Sequence, residues 1–543
     1  MSEVVAKPAS RFMRRVFPVA VIALAGAVLL AVVNWPGNQA DASALSMAKM
    51  LTVIVAGVCL FVWGLRWSGF RRLHVLLGTL GLFAAFFAVF HIPSMDGRFF
   101  PIITPRHWVQ DLFLGGSADT ILEDHRKNMP KADAPAKLEV QPTDMPEYRG
   151  RNRDGVVKNV NIAADWSKAP PKELWRQPVG GGYAAFATAN GFLVTIEQRR
   201  DEEAVVCYQA STGREVWVCK WKTLFKEQLG GDGPRATPTI AGGDVFALGA
   251  TGHLVCIDGN SGAEKWAVET LEGNRNLMWA MSGSPLVVDD MVIVNPGAQT
   301  EESQGKAVRA YDRKTGKPAW AVGNQQAGYS SPQVGTLDGK RQLLLLDATG
   351  VAGYDLANGA QLWRFGWPTQ QGINTVQPLV VGKNRVSVSA GYGMGGAMIE
   401  VTQVNGQWNV KEVWRTKNTV MRSKFATPVV QGDYAYGLND GIMACVDLNT
   451  GKEVWKDDRR AKRGEAYGHG QLLLVQDAGL IVALTEYGEL VLVRATPEKF
   501  EELGRVQALT RGKKTWNNPA MVGNVIYVRN EEEMAAYELP IRP

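Results

Sequence analysis

The chain is poor in cysteine and histidine, with five and six of them in 543 residues. It contains no Cys-x-x-Cys-His sequence, which excludes a covalently attached c-type haem. No group of cysteines and histidines has the spacing of a zinc site. The formal net charge is +6, and no basic run is dense enough for a nucleic-acid footprint. The sequence therefore predicts no metal site and no nucleic-acid partner.

The few cysteines lie where a structural role is expected. Cys207, Cys256 and Cys445 occupy one position of a repeated sequence, two residues before a turn, which is typical of small buried core residues. Cys59 lies in an apolar run, and Cys219 could face Cys207 across a hairpin. A disulfide between them would suit an oxidising compartment, whereas cross-strand geometry is often unfavourable. Both alternatives stay open.

The most informative feature of the chain is a tryptophan that returns every 41 to 54 residues. It closes the phrases STGREVW, NSGAEKW, KTGKPAW, ANGAQLW and NTGKEVW at Trp217, Trp266, Trp320, Trp363 and Trp455. Trp175 and Trp414 close only the tail of the phrase. A period of about 40–50 residues is typical of propellers and solenoids.

Each repeat carries the signals of four strands. In VCIDGNSGAEKW, Asp258 can satisfy the backbone of a turn and Gly262 supplies the positive φ that the turn needs. Two strands therefore pair across this turn, and the tryptophan lies on the outer one. A second phrase, such as ATPTIAGGDVFAL from Ala236, contains a proline directly before a strand. A turn then leads from this strand into a second one. Four such strands make one propeller blade.

The repeats predict an all-β, eight-bladed β-propeller. Seven blades follow in order over residues 184–217, 236–266, 282–320, 330–363, 375–414, 426–455 and 470–503. The eighth has three strands after Asn517 and lacks a fourth. The strand around Trp175 can complete it, so that both ends of the domain close the ring and leave no exposed sheet edge.

The repeats resemble those of the pyrroloquinoline-quinone (PQQ) repeat family. YRGRNRDGVV at 148–157 and GKKTWNNP at 512–519 are similar to further segments of bacterial proteins with PQQ-like repeats. The resemblance covers 148–543 and implies an eight-bladed propeller. The family includes quinoprotein dehydrogenases and the outer-membrane assembly propeller of the BamB type, so it implies more than one function. We interpret RNRDG at 151–155 as a turn that anchors the chain entry to the propeller.

The N-terminal quarter predicts three transmembrane helices, over 16–33, 50–65 and 73–92. Each run is close to the ~20 apolar residues that cross a hydrocarbon layer. A cleaved signal peptide is the alternative for the first run. Arginines precede the first run and separate the second from the third, which indicates that both of these sides are cytoplasmic. These residues are Arg11, Arg14, Arg15, Arg66, Arg71 and Arg72.

These patterns predict a multi-pass protein of the bacterial inner membrane with its propeller in the periplasm. Residues 1–15 are a cytoplasmic N-terminus, 16–92 a membrane domain, 93–147 a periplasmic linker and 148–543 the propeller. A short helix is expected near Trp108, and the part rich in Pro, Lys and Ala, 126–147, is expected to be extended and mobile. A packed extension along the propeller is the alternative for the first half of the linker.

The residues just before each first strand are candidates for a binding site, because they lead onto the strand beside the central channel. Around the ring they are Tyr183, Arg235, Trp279, Tyr329, Gln377, Lys424, His469, Trp516 and Asn517. Aromatic rings can stack on a planar group, and Arg and Lys can pair with carboxylates. The set suits a planar or anionic ligand or a peptide. The alternative is the ordinary polar rim of a channel.

Two function classes are compatible with these features. The first is a non-enzymatic binding or assembly scaffold of the cell envelope, similar to the BamB type, with the lipid bilayer and an envelope protein as partners. It departs from that type because helices replace the lipoprotein cysteine. The second is a membrane-bound, PQQ-dependent dehydrogenase that oxidises a sugar or an alcohol.

The resemblance to the dehydrogenases implies a stacking tryptophan, a calcium ion held by carboxylate and amide oxygens, and an aspartate base. The chain has no adjacent cysteines of the kind that cap the quinone in many of them. Four aspartates of the repeats are turn residues: Asp258, Asp312, Asp355 and Asp447. We therefore expect the scaffold, with no catalytic residue, no metal and no cofactor; PQQ with calcium belongs to the alternative.

Overall fold

The computed structural model describes residues 12–33, 42–96, 101–113, 116–133, 137–457 and 467–542. The chain forms two compact units. The N-terminal unit is Met1–Ser117 with Gln228–Gly230, and the propeller unit is Ala118–Glu227 with Gly231–Pro543. Arg11, which we used to predict the orientation of the helices, lies outside the described residues.

The N-terminal unit contains three apolar helices in a row. A π-helical turn, Phe12–Val16, leads into α1 (Phe17–Val33), followed by α2 (Ala42–Arg66) and α3 (Arg72–Val89). Within α2 and α3, Ser46–Arg66 and Arg72–Val89 are long and apolar enough to cross a membrane, whereas the apolar part of α1, Phe17–Val32, is shorter. Three helices form where three were predicted, and two of them have the length and composition of a membrane span.

The rest of the N-terminal unit is small. A two-stranded antiparallel hairpin, Phe90–Met95 with Pro101–Pro105, follows α3 directly. It is followed by the short helix α4, His107–Phe113. This helix lies where the sequence predicts one, near Trp108.

The second part of the predicted linker packs against the propeller. Helix α5, Ala118–Asn128, belongs to the propeller unit, and Leu122 on it is buried. Its Arg126 Nε donates to Glu215 Oε2 of the first blade at 2.9 Å. Leu138 is fully buried in the core of the first two blades. The chain from Ala118 onward therefore departs from the expected extended linker, because these two leucines bury apolar surface on the blades.

The propeller consists of eight blades, and each contains four antiparallel strands. In blades 1 to 7 these four strands follow in chain order, whereas the fourth strand of blade 8 comes from the start of the domain. Blade 1 has strands Ala187–Ala189, Phe192–Arg199, Glu202–Gln209 and Glu215–Lys222; blade 2, Thr239–Ala241, Asp244–Leu248, His253–Asp258 and Glu264–Glu269; blade 3, Leu286–Val288, Met291–Val294, Val308–Asp312 and Pro318–Val322; blade 4, Gln333–Leu337, Lys340–Leu346, Gly350–Tyr354 and Gln361–Gly366. Blade 5 has Leu379–Val381, Arg385–Ala390, Gly395–Val404 and Gln407–Arg415; blade 6, Val429–Gln431, Tyr434–Asn439, Ile442–Asp447 and Glu453–Lys456; blade 7, Gln471–Val475, Leu480–Leu484, Glu489–Arg494 and Glu502–Gln507; blade 8, Ala520–Val522, Val525–Arg529, Glu533–Glu538 and Lys172–Pro178. A 3₁₀ turn, Gln370–Gly372, joins blades 4 and 5.

Both ends of the propeller sequence close the ring, as predicted. Lys172–Pro178 is the outer strand of blade 8 and pairs with Glu533–Glu538, with Trp175 opposite Ala536. First strands of neighbouring blades contact one another, so they surround the central axis. One further strand, Val156–Val157, pairs in parallel with Gln471–Val475 on the axial side of blade 7. Residues close to the chain entry therefore reach the centre of the ring.

The repeated tryptophans join each blade to the next. Trp266 on the outer strand of blade 2 donates its indole N–H to the carbonyl of Arg313, in the turn between the last two strands of blade 3. The same bond recurs from Trp175, Trp217, Trp320, Trp414 and Trp455 to Ala210, Gly259, Leu356, Leu448 and Thr496. Trp363 is an exception, because it donates to Gln342 Oε1 within its own blade. These tryptophans therefore help to build the ring.

All five cysteines are free. Cys207 lies opposite Trp217, and Cys219 lies opposite Val205, so the two thiols are not directly paired across the strands. Cys207, Cys256 and Cys445 are fully buried, as their repeated position predicted. Burial raises the pKa of the Cys256 and Cys445 thiols to about 12, which suits core residues.

A pair of glycine substitutions tests the contact between a tryptophan and the next blade. Gly316 (φ +69°) and Gly243 (φ +87°) both have left-handed backbone. A Cβ on Gly316 would lie 2.8 Å from the Trp266 ring, whereas one on Gly243 meets nothing within 4 Å. We expect Gly243→Ala to lower the free energy of unfolding by about 1 kcal/mol for backbone strain. Gly316→Ala should lower it by about 1–3 kcal/mol more.

Urea unfolding of the full chain in detergent, followed by tryptophan fluorescence, measures both losses. Equal losses in the two variants would show that the tryptophan contact does not hold the blades together.

Candidate functional site

The central axis of the propeller is lined by the segments that lead into the first strands. The residue before the strand proline is a Ser or Thr in four blades, and its hydroxyl accepts a backbone N–H from the preceding blade. These bonds join Ala185 to Thr237, Thr237 to Ser284, Ser284 to Ser331, and Gln377 to Thr427, at 2.9 to 3.1 Å. Hydrogen bonds between polar groups therefore link these segments to one another around the axis, in what we call the polar ring. Each first strand begins near these polar groups and runs toward one end of the axis. The residues that precede the first strands therefore lie toward the other end.

Arg153 fills the axis at the end toward which the first strands run. Its side chain is 2% exposed and donates to backbone carbonyls of two blades. The acceptors are Ser284 O (3.1 Å), Pro285 O (2.6 Å) and Pro332 O (2.7 Å), with Thr239 Oγ1 at 3.4 Å. Glu147 Oε2 accepts from Arg153 Nε at 2.5 Å. Burial raises the pKa of the Glu147 carboxyl, and the nearby Arg153 charge opposes this shift.

Arg149 makes the same kind of contact on the opposite side of the ring. It is 1% exposed and donates to Thr427 O at 2.8 Å and to Pro428 O at 3.3 Å in blade 6. It also donates to Asp154 O at 3.0 Å, within its own turn. Arg149 and Arg153 both have positive φ (60° and 55°), which is uncommon for residues other than glycine. The turn is held in this conformation because both guanidinium groups satisfy buried carbonyls.

The predicted turn at 151–155 thus anchors the chain as expected, but the sequence did not reveal that its arginines close the axis. We name residues 144–157 the axial plug. Backbone carbonyls of the axial plug also accept hydrogen bonds from the first strands of blades 1, 2 and 7. The N–H groups of Thr188 and Ile240 donate to Met145 O and Pro146 O, and the N–H of Leu474 donates to Gly155 O. The sequence signal that could have indicated this role is the pair Arg149 and Arg153 in a short segment that also contains Gly150 and Gly155.

The other end of the axis, which we name the mouth, contains the predicted site residues. Trp516 lies at its centre: its ring centre is 5.2 Å from that of Tyr183 and 4.8 Å from that of Phe425. His469 packs on Phe425 at 5.3 Å. The structure thus brings together Tyr183, His469 and Trp516, as predicted. On another part of the mouth, Trp279 and Tyr329 form a separate pair at 5.6 Å.

Two cations lie over the Tyr183 ring. Arg235 Cζ is 5.3 Å from its centre and Lys514 Nζ is 5.4 Å away, while Lys514 is also 4.7 Å from the centre of Trp516. The Tyr183 hydroxyl donates to Glu531 Oε2 at 2.9 Å. Burial lowers the pKa of Lys514 to about 8, although the Glu531 carboxylate favours its charged form. Attraction between these cations and aromatic faces stabilises the cluster.

Four of the predicted residues lie inside the wall of the mouth and not on its surface. Lys424, His469, Gln377 and Asn517 are each at most 2% exposed. Lys424 Nζ pairs with Asp440 Oδ1 at 3.0 Å, and His469 Nε2 lies 4.0 Å from the same oxygen. Asn517 Nδ2 donates to Gly182 O and Ala184 O of blade 1. The partly exposed residues are Tyr329, Arg235, Trp279 and Trp516, with Phe425.

Phe425, Lys514 and Asp440 were missed by the sequence reasoning. Phe425 lies three residues before the strand proline Pro428, an offset that it shares with Arg235, Tyr329 and Trp516. Counting back from the proline would therefore have selected Phe425 instead of its neighbour Lys424. Asp440 lies at the tip of a hairpin within blade 6, and no repeated position marks it. Its role depends on contacts that only the folded ring creates.

Within residues 12–33, 42–96, 101–113, 116–133, 137–457 and 467–542, no three His, Cys, Asp or Glu side chains are grouped so that they could hold a metal ion.

A comparison with protein families identifies the propeller. The family model described as "Outer membrane protein assembly factor BamB" matches residues 161–278, 201–457 and 439–539, which together exceed half of the chain. The chain belongs to this family. The outer-membrane protein assembly factor BamB of Moranella endobia (strain PCIT) is 26% identical over 261 residues, covering 46% of this chain and 63% of that protein. The chain thus spans less than two thirds of the length of this BamB relative.

Solved structures similar to this BamB-family chain include two quinohemoprotein alcohol dehydrogenases. The one from Comamonas testosteroni is 11% identical, with a TM-score of 0.50, and covers 78% of this chain and 85% of its own. The one from Pseudomonas putida HK5 is 12% identical, with a TM-score of 0.50, and covers 76% and 84%. At these identities the similarity establishes the propeller fold alone, which BamB-like and quinoprotein dehydrogenase-like proteins share.

Substitution of an axial arginine tests whether the axial plug supports the ring. Arg153→Lys keeps the charge but cannot reach carbonyls of two blades at once, because an ammonium lacks the planar fork of donors. We expect the free energy of unfolding to fall by about 3 kcal/mol or more, since buried carbonyls lose their donors. Arg151→Lys, at an exposed position of the same turn, should change it by less than about 0.5 kcal/mol.

Both variants are measured by urea unfolding of the full chain in detergent. A loss at Arg153 as small as that at Arg151 would contradict the supporting role of the axial plug.

Proposed function

We propose that this protein is a membrane-anchored β-propeller that acts as a non-enzymatic binding or assembly scaffold in the cell envelope. Membership of the BamB family supports an envelope role, because the family description and the Moranella relative name outer-membrane protein assembly. The apolar helices α2 and α3 support a membrane anchor, with α1 as a third helix. The partner that we propose is another envelope protein.

The observation that carries this proposal is that three carboxylates at the mouth, those of Asp440, Glu486 and Glu531, already have partners within the chain. Asp440 lies 3.0 Å from Lys424 and 3.5 Å from Arg422. Glu486 Oε2 accepts the backbone N–H of His469 at 2.9 Å, and Glu531 accepts the Tyr183 hydroxyl. A catalytic base must reach a substrate proton, and a calcium ligand must present a free oxygen. These carboxylates are committed to structural contacts instead.

The residues at the mouth also fit a quinone cofactor poorly. Trp516 is the candidate for stacking, but Lys514, Phe425 and Tyr183 lie within 5.2 Å of its ring centre. A planar tricyclic group stacked on Trp516 would compete with these neighbours for the space around its ring. Lys514 and Lys424, which would pair with its carboxylates, are each 2% exposed. We therefore favour a scaffold without PQQ or calcium over the dehydrogenase.

We further propose that the helices cross the bacterial inner membrane and that the propeller is periplasmic. Arg66, Arg71 and Arg72 lie between α2 and α3, and such positive loops favour the cytoplasmic side. The C-terminal end of α3 then emerges on the periplasmic side. The chain can start in the cytoplasm and place the end of α3 in the periplasm only if it crosses the membrane three times. The proposal therefore requires that α1 also crosses, in addition to the two helices of sufficient length.

Partner binding is proposed at four partly exposed residues of the mouth, Arg235, Trp279, Tyr329 and Trp516. Aromatic residues and arginine are enriched among the residues that contribute most to binding energy at protein interfaces. Burial lowers the pKa of Arg235, and the nearby Glu227 and Asp232 carboxylates oppose this shift. Its guanidinium donates to the carbonyl of Gly231 at 2.7 Å and retains its charge for an acidic group of the partner.

Reconstitution with a quinone tests the choice between the two functions. We expect that the purified full-length protein, incubated with PQQ and calcium, will neither retain the quinone through gel filtration nor reduce a dye with sugars or alcohols. A bound quinone absorbance together with substrate-dependent dye reduction would overturn the scaffold proposal.

Site-specific crosslinking tests the mouth as the binding surface. A photoreactive phenylalanine analogue at Trp279 should capture one envelope protein in intact cells, whereas the same analogue at Val413, on the outer strand of blade 5, should not. Arg235→Ala and Trp516→Ala should each weaken the capture several-fold, because they remove the charge and the largest aromatic surface at the mouth. Equal capture from positions 279 and 413, or capture unaffected by both substitutions, would remove the mouth as the binding site.

A further inference from the structure

The end of helix α3 is capped by residues that follow the hairpin. The last carbonyls of a helix have no partner within the helix. Phe86 O accepts the N–H of Phe90, and the next three carbonyls are satisfied by two residues from the start of α4. Arg106 Nε donates to Phe87 O at 2.6 Å, Trp108 Nε1 donates to Ala88 O at 3.0 Å, and Arg106 N–H donates to Val89 O at 2.8 Å. The hairpin and α4 are therefore held at the helix end.

This cap defines the depth of α4 relative to a membrane. Helix α3 has 18 residues, which at about 1.5 Å per residue span roughly the ~30 Å hydrocarbon layer. If α3 crosses the bilayer, its final carbonyls lie at the boundary between hydrocarbon and headgroups. Trp108 and Arg106 bond directly to these carbonyls, so they lie at the same boundary. Tryptophan is enriched at this depth, and arginine can extend its charge into the headgroups from it.

The same segment presents large apolar side chains that the described chain leaves uncovered. The exposed fractions are 52% for Ile103, 51% for Trp108, 68% for Leu112 and 69% for Phe113. Ile103 belongs to the second hairpin strand, and the other three belong to α4. Burying such groups in the interface removes apolar area from water and is favourable. A lipid surface is the occupant that the attachment to α3 brings within reach.

We propose that residues 90–96 and 101–113 form a membrane-interface anchor, in which Ile103, Trp108, Leu112 and Phe113 insert among the lipid headgroups on the side where α3 ends. This inference rests on the proposed membrane span of α3. The anchor has two parts with different roles. The cap by Arg106 and Trp108 fixes the segment to the helix end, and the apolar side chains hold it flat against the lipid.

Fluorescence quenching by brominated lipids tests the anchor in the full-length protein. Cys59 and Cys219 are replaced by Ala, and one labelled cysteine is introduced by Leu112→Cys, Leu80→Cys or Met278→Cys. Leu80 lies in the middle of α3, and Met278 is 62% exposed on the propeller. Each protein is reconstituted in vesicles of phosphatidylethanolamine and phosphatidylglycerol, with bromine placed either near the headgroup or near the end of the acyl chain.

We expect the label at position 112 to be quenched several times more strongly by bromine near the headgroup than by bromine near the chain end. The label at position 80 should show the reverse order, and the label at position 278 should be quenched by neither lipid. If neither lipid quenches the label at position 112 while bromine near the chain end still quenches the label at position 80, the anchor alone is overturned. Loss of deep quenching at position 80 would overturn the proposed span of α3, and the anchor with it.

Discussion

The ring depends on the satisfaction of backbone carbonyls at its centre. Six of the eight blades contribute a short first strand that begins after a proline. In blades 3, 4 and 6 the carbonyls next to this proline accept hydrogen bonds from the axial plug. Arg153 donates to such carbonyls in blades 3 and 4, and Arg149 does so in blade 6. A buried carbonyl without a donor is costly, so these guanidinium groups stabilise the place where the strands converge. The chain that enters the propeller thus also closes its axis.

The same arrangement bears on the proposed binding site. The axial plug occupies one end of the axis, and we propose that a partner binds at the mouth, at the other end. Its wall is built from buried charge pairs such as Lys424 with Asp440, which fix the positions of the aromatic residues around Trp516. Buried ion pairs are weak evidence for stability, but they specify geometry when every member has a partner. A prearranged aromatic rim around a charged wall supports our proposal that the mouth binds a protein surface.

The sequence predicted those parts of the fold that repeat. The returning tryptophan and the strand proline gave the eight blades, and the orphan strand around Trp175 gave the closure of the ring. What it did not predict depends on contacts between distant residues. The burial of Lys424 requires Asp440, and the partners of Arg149 lie 278 and 279 positions away. The packing of Leu122 and Leu138 on the propeller carried no periodic signal either. For the candidate site, position along the repeat selected residues of which several lie together at the mouth. The exposure of the individual side chains could not be predicted from that position.

The central claim is that the chain's own segment 144–157 fills one end of the axis. Hydrogen–deuterium exchange on the full-length protein tests it directly. The amides of Arg153 and Gly155 bond within the turn, and that of Leu474 bonds to Gly155 O. The account predicts that all three exchange as slowly as amides in the middle of blade 7, such as that of Val482. Exchange as fast as that of an exposed turn, such as 242–243, would show that the axial plug is not in place.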